Sequence, residues 1–394
     1  MRTLIKKGLP LVLIFIFSLS AQVHLQGSLQ SMVYRWQPPD QESLTDFYQV
    51  LQFQLRSNAL PGFSTRGYLR FAYRGPAPRW EDRFYHLYLQ WQRTDRRLTL
   101  RLGRQFLYAG VWNGTFDALQ VTWQSAGSLN LRFLLGSRAP FDRQWRWNAS
   151  TEGMAYGVYL NWAGSSRLRI TASILHQQKG RQLLHQLAGV GISGRLSRYL
   201  LYHTNLEYNI PGKSVQLFRH LMGYYREPWQ VMVEWNHQKP RIREDSYFQI
   251  FQIRGFDQLR SSVGYRWHQW LFSLQYLRTW YDSDITNQWI LGCSQQWGHV
   301  GIILQNGFGG QNLGVYGDVR YPLTSRFTLR AHSSYYNFQR HTVAIGEEAT
   351  AYSLGLTYRH GPKLQLDADL QQSLNTYFRN DLRALLRLFY RFDI

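Results

Sequence analysis

The sequence predicts an all-β protein, a transmembrane antiparallel up-and-down β-barrel of 18–22 strands, with 22 the best count. Three observations predict it. Apolar and polar residues alternate with period two from end to end, aromatic residues gather at the ends of the alternating runs, and the connections between runs are long and short in turn. Period two by itself also fits a sandwich, whose apolar faces would meet in one core. The aromatic ends and the rhythm of the connections favour the barrel.

Taken in chain order, Met1 to Gln22 reads as an export leader. Arg2, Lys6 and Lys7 form its basic start, Leu9 to Phe17 its apolar stretch, and Ser18, Ser20 and Ala21 a small-residue exit. This makes residues 1–21 a signal peptide and residues 22–394 a single barrel domain. The first connection, Trp36–Thr45, is long; Ser57–Ser64 stands where a short one belongs. Leu98, Leu100 and Leu102 then alternate with Thr99, Arg101 and Gly103, and Leu168, Ile170, Ala172 and Ile174 with Arg169, Thr171 and Ser173. Between these runs lies the long loop Arg138–Gly153. Gln177–Gln182 is barely long, Arg195–Tyr199 short, Asn209–Ser214 long and Arg226–Pro228 short. Gln238–Arg260 reads as one long loop containing a non-spanning hairpin.

The alternation continues to the C-terminus. His268–Trp270, Gln296–Gly298, Tyr321–Arg326 and Arg359–Lys363 are short; Tyr281–Asn287, Asn306–Gly314, Phe338–Thr350 and Gln371–Leu382 are long. Twenty-one connections join 22 strands, and long ones at both ends leave both termini periplasmic. Segments 181–188 and 381–388 also fit a helical period and are read here as strands. Trp80, Trp91, Trp112, Trp123, Trp162, Trp229, Trp235, Trp267, Trp280 and Trp289 lie near strand ends, where they would form interfacial girdles. Leu386, Leu388, Tyr390, Phe392 and Ile394 form one apolar face, similar to the C-terminal strand signal that outer-membrane proteins present to the barrel-assembly machinery.

Composition excludes several alternatives. Of 394 residues, 18% are charged and 16% aromatic, which is too aromatic for a disordered chain. Apart from the leader there is no apolar run of the ~20 residues that a spanning helix needs. Cys293 stands alone, so no intramolecular disulfide can staple the chain. Neither a Gly-x-Ser-x-Gly elbow nor a His-Glu-x-x-His pair occurs, and the histidines lack metal-ligand spacing. Ser193 and His203, on adjacent strands, are the one pairing that a barrel hydrolase could use. The reading is a non-enzyme without metal or cofactor.

Charge carries the functional clue. Arg outnumbers Lys 39 to 6, and the mature chain keeps 42 basic against 24 acidic residues, a net +18. Arg repeatedly sits between two apolar residues within a strand: Arg70, Arg101, Arg132 and Arg169, then Arg266, Arg320, Arg330 and Arg387. Alternation puts these on the face opposite the apolar one, because Arg on the lipid face would cost roughly 2–4 kcal/mol at the midplane. Arg359 is placed in the lumen with them. Lumen-parity carboxylates (Asp117, Glu207, Glu234, Asp367 and Asp369) pair with some of these, but the net charge survives any pairing. The expected function is an outer-membrane conduit for anions, small molecules or oligosaccharides, in a Gram-negative cell. Nucleic acid is rejected as a partner because the leader exports the chain. External Arg suit membrane lipid and lipopolysaccharide phosphates. The alternative is a non-conducting barrel that assembles or attaches surface polysaccharide, with loops such as Arg138–Gly153 or Gln238–Arg260 folding inward.

One segment adds a family resemblance. Leu98-Thr-Leu-Arg101-Leu-Gly103-Arg104-Gln105, followed by Asn113-Gly114-Thr115-Phe116-Asp117-Ala118-Leu119, resembles the alginate-export family of outer-membrane porins. Ala118 stands where the family pattern has Gly. The resemblance covers residues 98–123 and implies a monomeric barrel of 18 strands with an Arg-lined lumen, passing acidic polysaccharide or other organic anions. It further implies that Arg101, Arg104 and Gln105 lie at or near the pore wall, with Asp117 as an ion-pair partner.

Overall fold

A pleated chain sends successive side chains to opposite faces, so each alternating run can bury one face only by joining a sheet. The structure, a computed structural model, describes residues 23–37, 42–75, 79–125, 127–146, 153–165, 167–240, 255–308, 310–339, 347–375 and 380–394. The predicted leader and most of the 238–260 loop lie outside these residues.

In chain order the strands are β1 Val23–Trp36, β2 Leu44–Ser57, β3 Phe63–Arg74, β4 Arg79–Gln92, β5 Leu98–Ala109, β6 Trp112–Gln124, β7 Leu129–Arg138 and β8 Met154–Ser165. They continue with β9 Leu168–Lys179, β10 Gln182–Arg195, β11 Leu200–Asn209, β12 Ser214–Arg226, β13 Trp229–Gln238, β14 Phe256–Trp267 and β15 Trp270–Trp280. The last are β16 Ile285–Gln295, β17 Gly298–Gly307, β18 Gln311–Pro322, β19 Phe327–Gln339, β20 Glu347–His360, β21 Leu364–Leu374 and β22 Asp381–Asp393. Each pairs antiparallel with its chain neighbours, and β1 pairs with β22 from Gln26↔Asp393 to Arg35↔Ala384. The barrel is therefore closed and has no free edge at the seam. It has 22 strands, not the 18 implied by the resemblance. Of the ambiguous segments, 181–188 is strand from Gln182 onward and 381–388 is strand throughout.

Register keeps the two faces separate. Leu89↔Leu102, Leu102↔Leu119, Leu119↔Leu135 and Leu135↔Tyr156 place one apolar residue beside the next across β4 to β8, all exposed. An apolar band of that extent around the outside would not stay in water; it needs a bilayer. Thr204 and His220, mid-strand polar residues of this face on β11 and β12, satisfy each other at 2.8 Å between Oγ1 and Nδ1. Of the predicted girdle tryptophans, Trp80, Trp123, Trp162, Trp229, Trp235, Trp267 and Trp289 are exposed on this outer face.

The rhythm of the connections is weaker than expected: 210–213, 281–284 and 308–310, read as long, are no longer than the turns at the other end, and two further breaks are tighter still. Between β9 and β10 the chain turns within Gly180 and Arg181, and between β5 and β6 within Gly110 and Val111. Gly110 lies at φ +56°, the left-handed region such a tight turn requires. The second break shapes the interior.

Candidate functional site

The β5–β6 hairpin leaves the wall. β5 pairs with β4 only from Thr99 to Arg104, and β6 with β7 only up to Phe116, so over residues 105–115 the two strands form ladder pairs only with one another. Gly103, at φ +125°, stands where the departure begins. The tip bends into the barrel and packs on the lumen side of β8–β10. Val111 N–H donates to Ser173 Oγ at 3.0 Å and Trp112 Nε1–H to the Ile174 carbonyl at 2.8 Å. Leu107, Ala109, Val111, Trp112 and Phe116 form an apolar cluster there with Leu134, Ala155, Leu175 and Leu187. Trp112 and Phe116 are both 0% exposed. Trp112 is therefore an anchor inside the barrel and not the girdle residue its place near a strand end implied. On the hairpin's other face Phe106 and Tyr108 stand bare in the lumen, Tyr108 at 78% exposure.

Truncating a fully buried Trp typically costs about 3–5 kcal/mol. Trp112→Ala should therefore undock the tip while the wall stays closed. The check is hydrogen exchange: amides 105–115 should exchange much faster than in the parent, with wall amides unchanged.

The departing hairpin leaves the first half of β4 without a strand neighbour on its β5 side. Residues 139–146, after β7, fill that gap. Ala139 N–H donates to the Thr115 carbonyl at 2.9 Å, and Phe84 N–H to the Arg143 carbonyl at 2.8 Å. At the hinge, Arg104 and Asp117 are buried, 4% and 2% exposed. Arg104 Nε and Nη2 meet the two Asp117 oxygens at 2.7 and 2.8 Å, a bidentate pair. Its remaining N–H groups reach the carbonyls of Arg143, Gln144 and Arg146 at 3.2, 2.9 and 3.1 Å. Gln105 is buried beside them, donating to the Ala118 carbonyl at 3.0 Å. These three residues were expected on the pore wall. They are instead the hinge of the inward fold, and Arg104 and Asp117 share the outward parity of Leu102 and Leu119. The inward segment is thus the β5–β6 tip, whereas residues 139–146 of the predicted loop complete the wall.

The other predicted residues fall on lumen parity. Arg66 and Arg70 on β3, Arg101 on β5 and Arg132 on β7 form a track over alternate strands, and among the described residues none of the four has a carboxylate partner. Tyrosines hold three of these guanidiniums in place. Arg70 lies 5.6 Å from the Tyr48 ring and 5.8 Å from Tyr85, Arg101 5.5 Å from Tyr88, and Arg132 5.3 Å from Tyr159. Arg101 also donates to Gln90 at 2.8 Å and Arg132 to Asn130 at 3.0 Å. Sequence reasoning missed Arg66, because Gly67 follows it and breaks the apolar–Arg–apolar triplet, and it missed all the tyrosines.

Elsewhere part of the lumen charge is compensated. Arg330 meets Asp369 at 2.9 Å and Asp367 at 3.7 Å, and Arg387 stands opposite Asp367. Arg219 binds Glu234 at 2.9 Å. Arg320 lies beside Arg330 in register, and Arg359 donates to Gln365 at 3.3 Å. Arg169 and Arg266 are exposed close to short turns. Ser193 and His203 stand directly opposite on β10 and β11. Glu207 is lumen-facing and buried. Among the described residues no group of His, Cys, Asp and Glu could hold a metal ion.

The translocation pore of the P pilus usher PapC superposes with a TM-score of 0.52 at 8% identity, covering 93% of this chain and 99% of that one. The fold is that of an outer-membrane β-barrel. OccK5 (OpdH) of Pseudomonas aeruginosa gives a TM-score of 0.46 at 9% identity over 95% of this chain and 98% of that one. OccAB3 of Acinetobacter baumannii gives 0.46 at 10% over 95% and 100%. No family model and no curated protein matches the chain.

Proposed function

We propose that this barrel is an outer-membrane channel whose lumen favours anionic solutes, with acidic saccharides as the substrate class that the 98–123 resemblance favours. The observation that carries the reading is the uncompensated track of Arg66, Arg70, Arg101 and Arg132 in a water-accessible interior. Cations fixed in a low-dielectric wall raise the local concentration of anions and draw them inward. Tyrosine rings beside them add flat apolar faces against which a sugar ring can lie. The inward hairpin narrows the lumen from the β8–β10 side, opposite in role to the track: it sets width while the arginines set charge.

Single-channel recording of refolded protein in planar bilayers under a KCl gradient tests the reading. The expected result is a steady conductance with a reversal potential of anion-selective sign. A correctly folded, heat-modifiable barrel with no conductance would overturn it in favour of a non-conducting barrel for surface-polysaccharide assembly.

A further inference from the structure

The outer face carries a second arginine cluster, at the rim where the short turns lie. Arg198, in the turn before β11, and Arg226, at the end of β12, are both exposed. Each guanidinium lies 5.5 Å from the same ring, that of Tyr199. Tyr199 packs at 6.3 Å against Tyr224, and Arg226 stands in register with Trp229, which packs at 4.7 Å against Tyr265 of β14. Neither arginine has a carboxylate partner among the described residues; Glu227, in the adjoining turn, forms no ion pair with either. The aromatic row faces outward, since Tyr224 and Trp229 are exposed on the bilayer side.

Tyr265 is also the start of an apolar groove of about 600 Å³ on the same outer face. Its walls include Phe272, Leu274, Leu291, Val300 and Ile302. These side chains lie two to four residues inward from the short turns, just deeper than the aromatic row. Arg226 and Tyr265 are two strands apart, about 10 Å at the usual strand spacing. Two uncompensated guanidiniums at headgroup depth, continuous with an apolar groove at acyl depth, match one kind of molecule. We propose that this rim binds an anionic phospholipid, with its phosphate between Arg198 and Arg226 and one acyl chain in the groove. Guanidinium forks suit phosphate oxygens, and the stacked Tyr199 ring holds both side chains ready, so little rotamer freedom is lost on binding.

Native mass spectrometry of the detergent-solubilised full-length protein tests this, with phosphatidylglycerol and phosphatidylcholine of identical chains as probes. The expected result is retention of phosphatidylglycerol in clear preference, reduced about tenfold in the Arg198→Gln/Arg226→Gln variant. Ile302→Trp, which fills the groove and leaves both arginines in place, should weaken both lipids alike. Equal binding of the two lipids by the parent protein, or undiminished phosphatidylglycerol binding by the double variant, would overturn the proposal. So would competition by inorganic phosphate at the potency of the lipid, which would leave an anion site with no part for the groove. Neither channel conductance nor selectivity enters these readouts.

Discussion

Replacing Arg66, Arg101 and Arg132 together with Gln is expected to move the reversal potential about halfway toward zero, with conductance retained. Each of the three stands three residues in from the start of its strand, Phe63, Leu98 and Leu129 respectively. They therefore lie near one level, on alternate strands about 10 Å apart. That spacing is close to the Debye length at 0.1 M salt, so their fields overlap and a passing anion meets a continuous potential. None is compensated by an acid, so each Gln removes a full charge from the solute's path. Arg278→Gln is the control. Arg278 shares the outward parity of Leu274 and packs 5.3 Å from the Trp280 ring, outside the lumen. Losing it should leave the potential unchanged. The shift in the triple variant should shrink in molar salt, where screening shortens to ~3 Å. A triple variant with the parent's potential at low salt would remove the track from the account of selectivity.

The face on which a strand residue lies was legible in the sequence, because parity needs only neighbours. Arg101 and Arg132 could be assigned to the lumen from Leu100, Leu102, Leu131 and Phe133 alone, and the strand count came from the same pattern with the connections. Parity also contained the answer for Arg104: three positions beyond Arg101, it must lie on the opposite face, and reading it as pore-lining followed the family resemblance over the alternation. What parity cannot say is whether a segment stays in the wall. That depends on contacts far along the chain, such as Val111 with Ser173 and Trp112 with Ile174, each 62 residues apart. Trp112 near a strand end looks like Trp123 near another, yet one is an internal anchor and the other faces the bilayer. Gly103 and Gly110 were the local signals of the inward fold, since both take positive φ there, but glycine in a strand has several uses. The charge compensation was equally hidden. Asp367 and Asp369 share lumen parity with the track arginines, and only register shows that they face Arg387 and Arg330.

Breaking the Arg104–Asp117 pair is expected to release the hairpin and the segment covering it. Arg104→Met would leave the Asp117 carboxylate buried without a cation and remove the donors to the carbonyls of Arg143, Gln144 and Arg146. Loss of one partner from a buried ion pair costs about 3–5 kcal/mol. The barrel itself should survive, because the hinge contributes to neither the seam nor the wall pairings on the far side. The strain falls instead on the tip, which keeps the Trp112 and Phe116 cluster but loses its anchored base, and on residues 139–146, which lose their hold on β4. In single-channel records this should appear as frequent excursions to a larger conductance, from a protein that still migrates as a folded barrel. Asp117→Asn keeps the shape and one hydrogen-bond acceptor, so its effect should be smaller. Arg104→Met combined with Asp117→Leu removes both charges, and burial of an unpaired ion is then no longer the penalty. That double variant should be quieter and more heat-resistant than Arg104→Met alone, even though it lacks more of the native contacts. If it is instead the less stable of the two, the pair acts through its contacts and not through charge burial. A quiet, stable Arg104→Met channel would show that the apolar cluster alone holds the hairpin in the lumen.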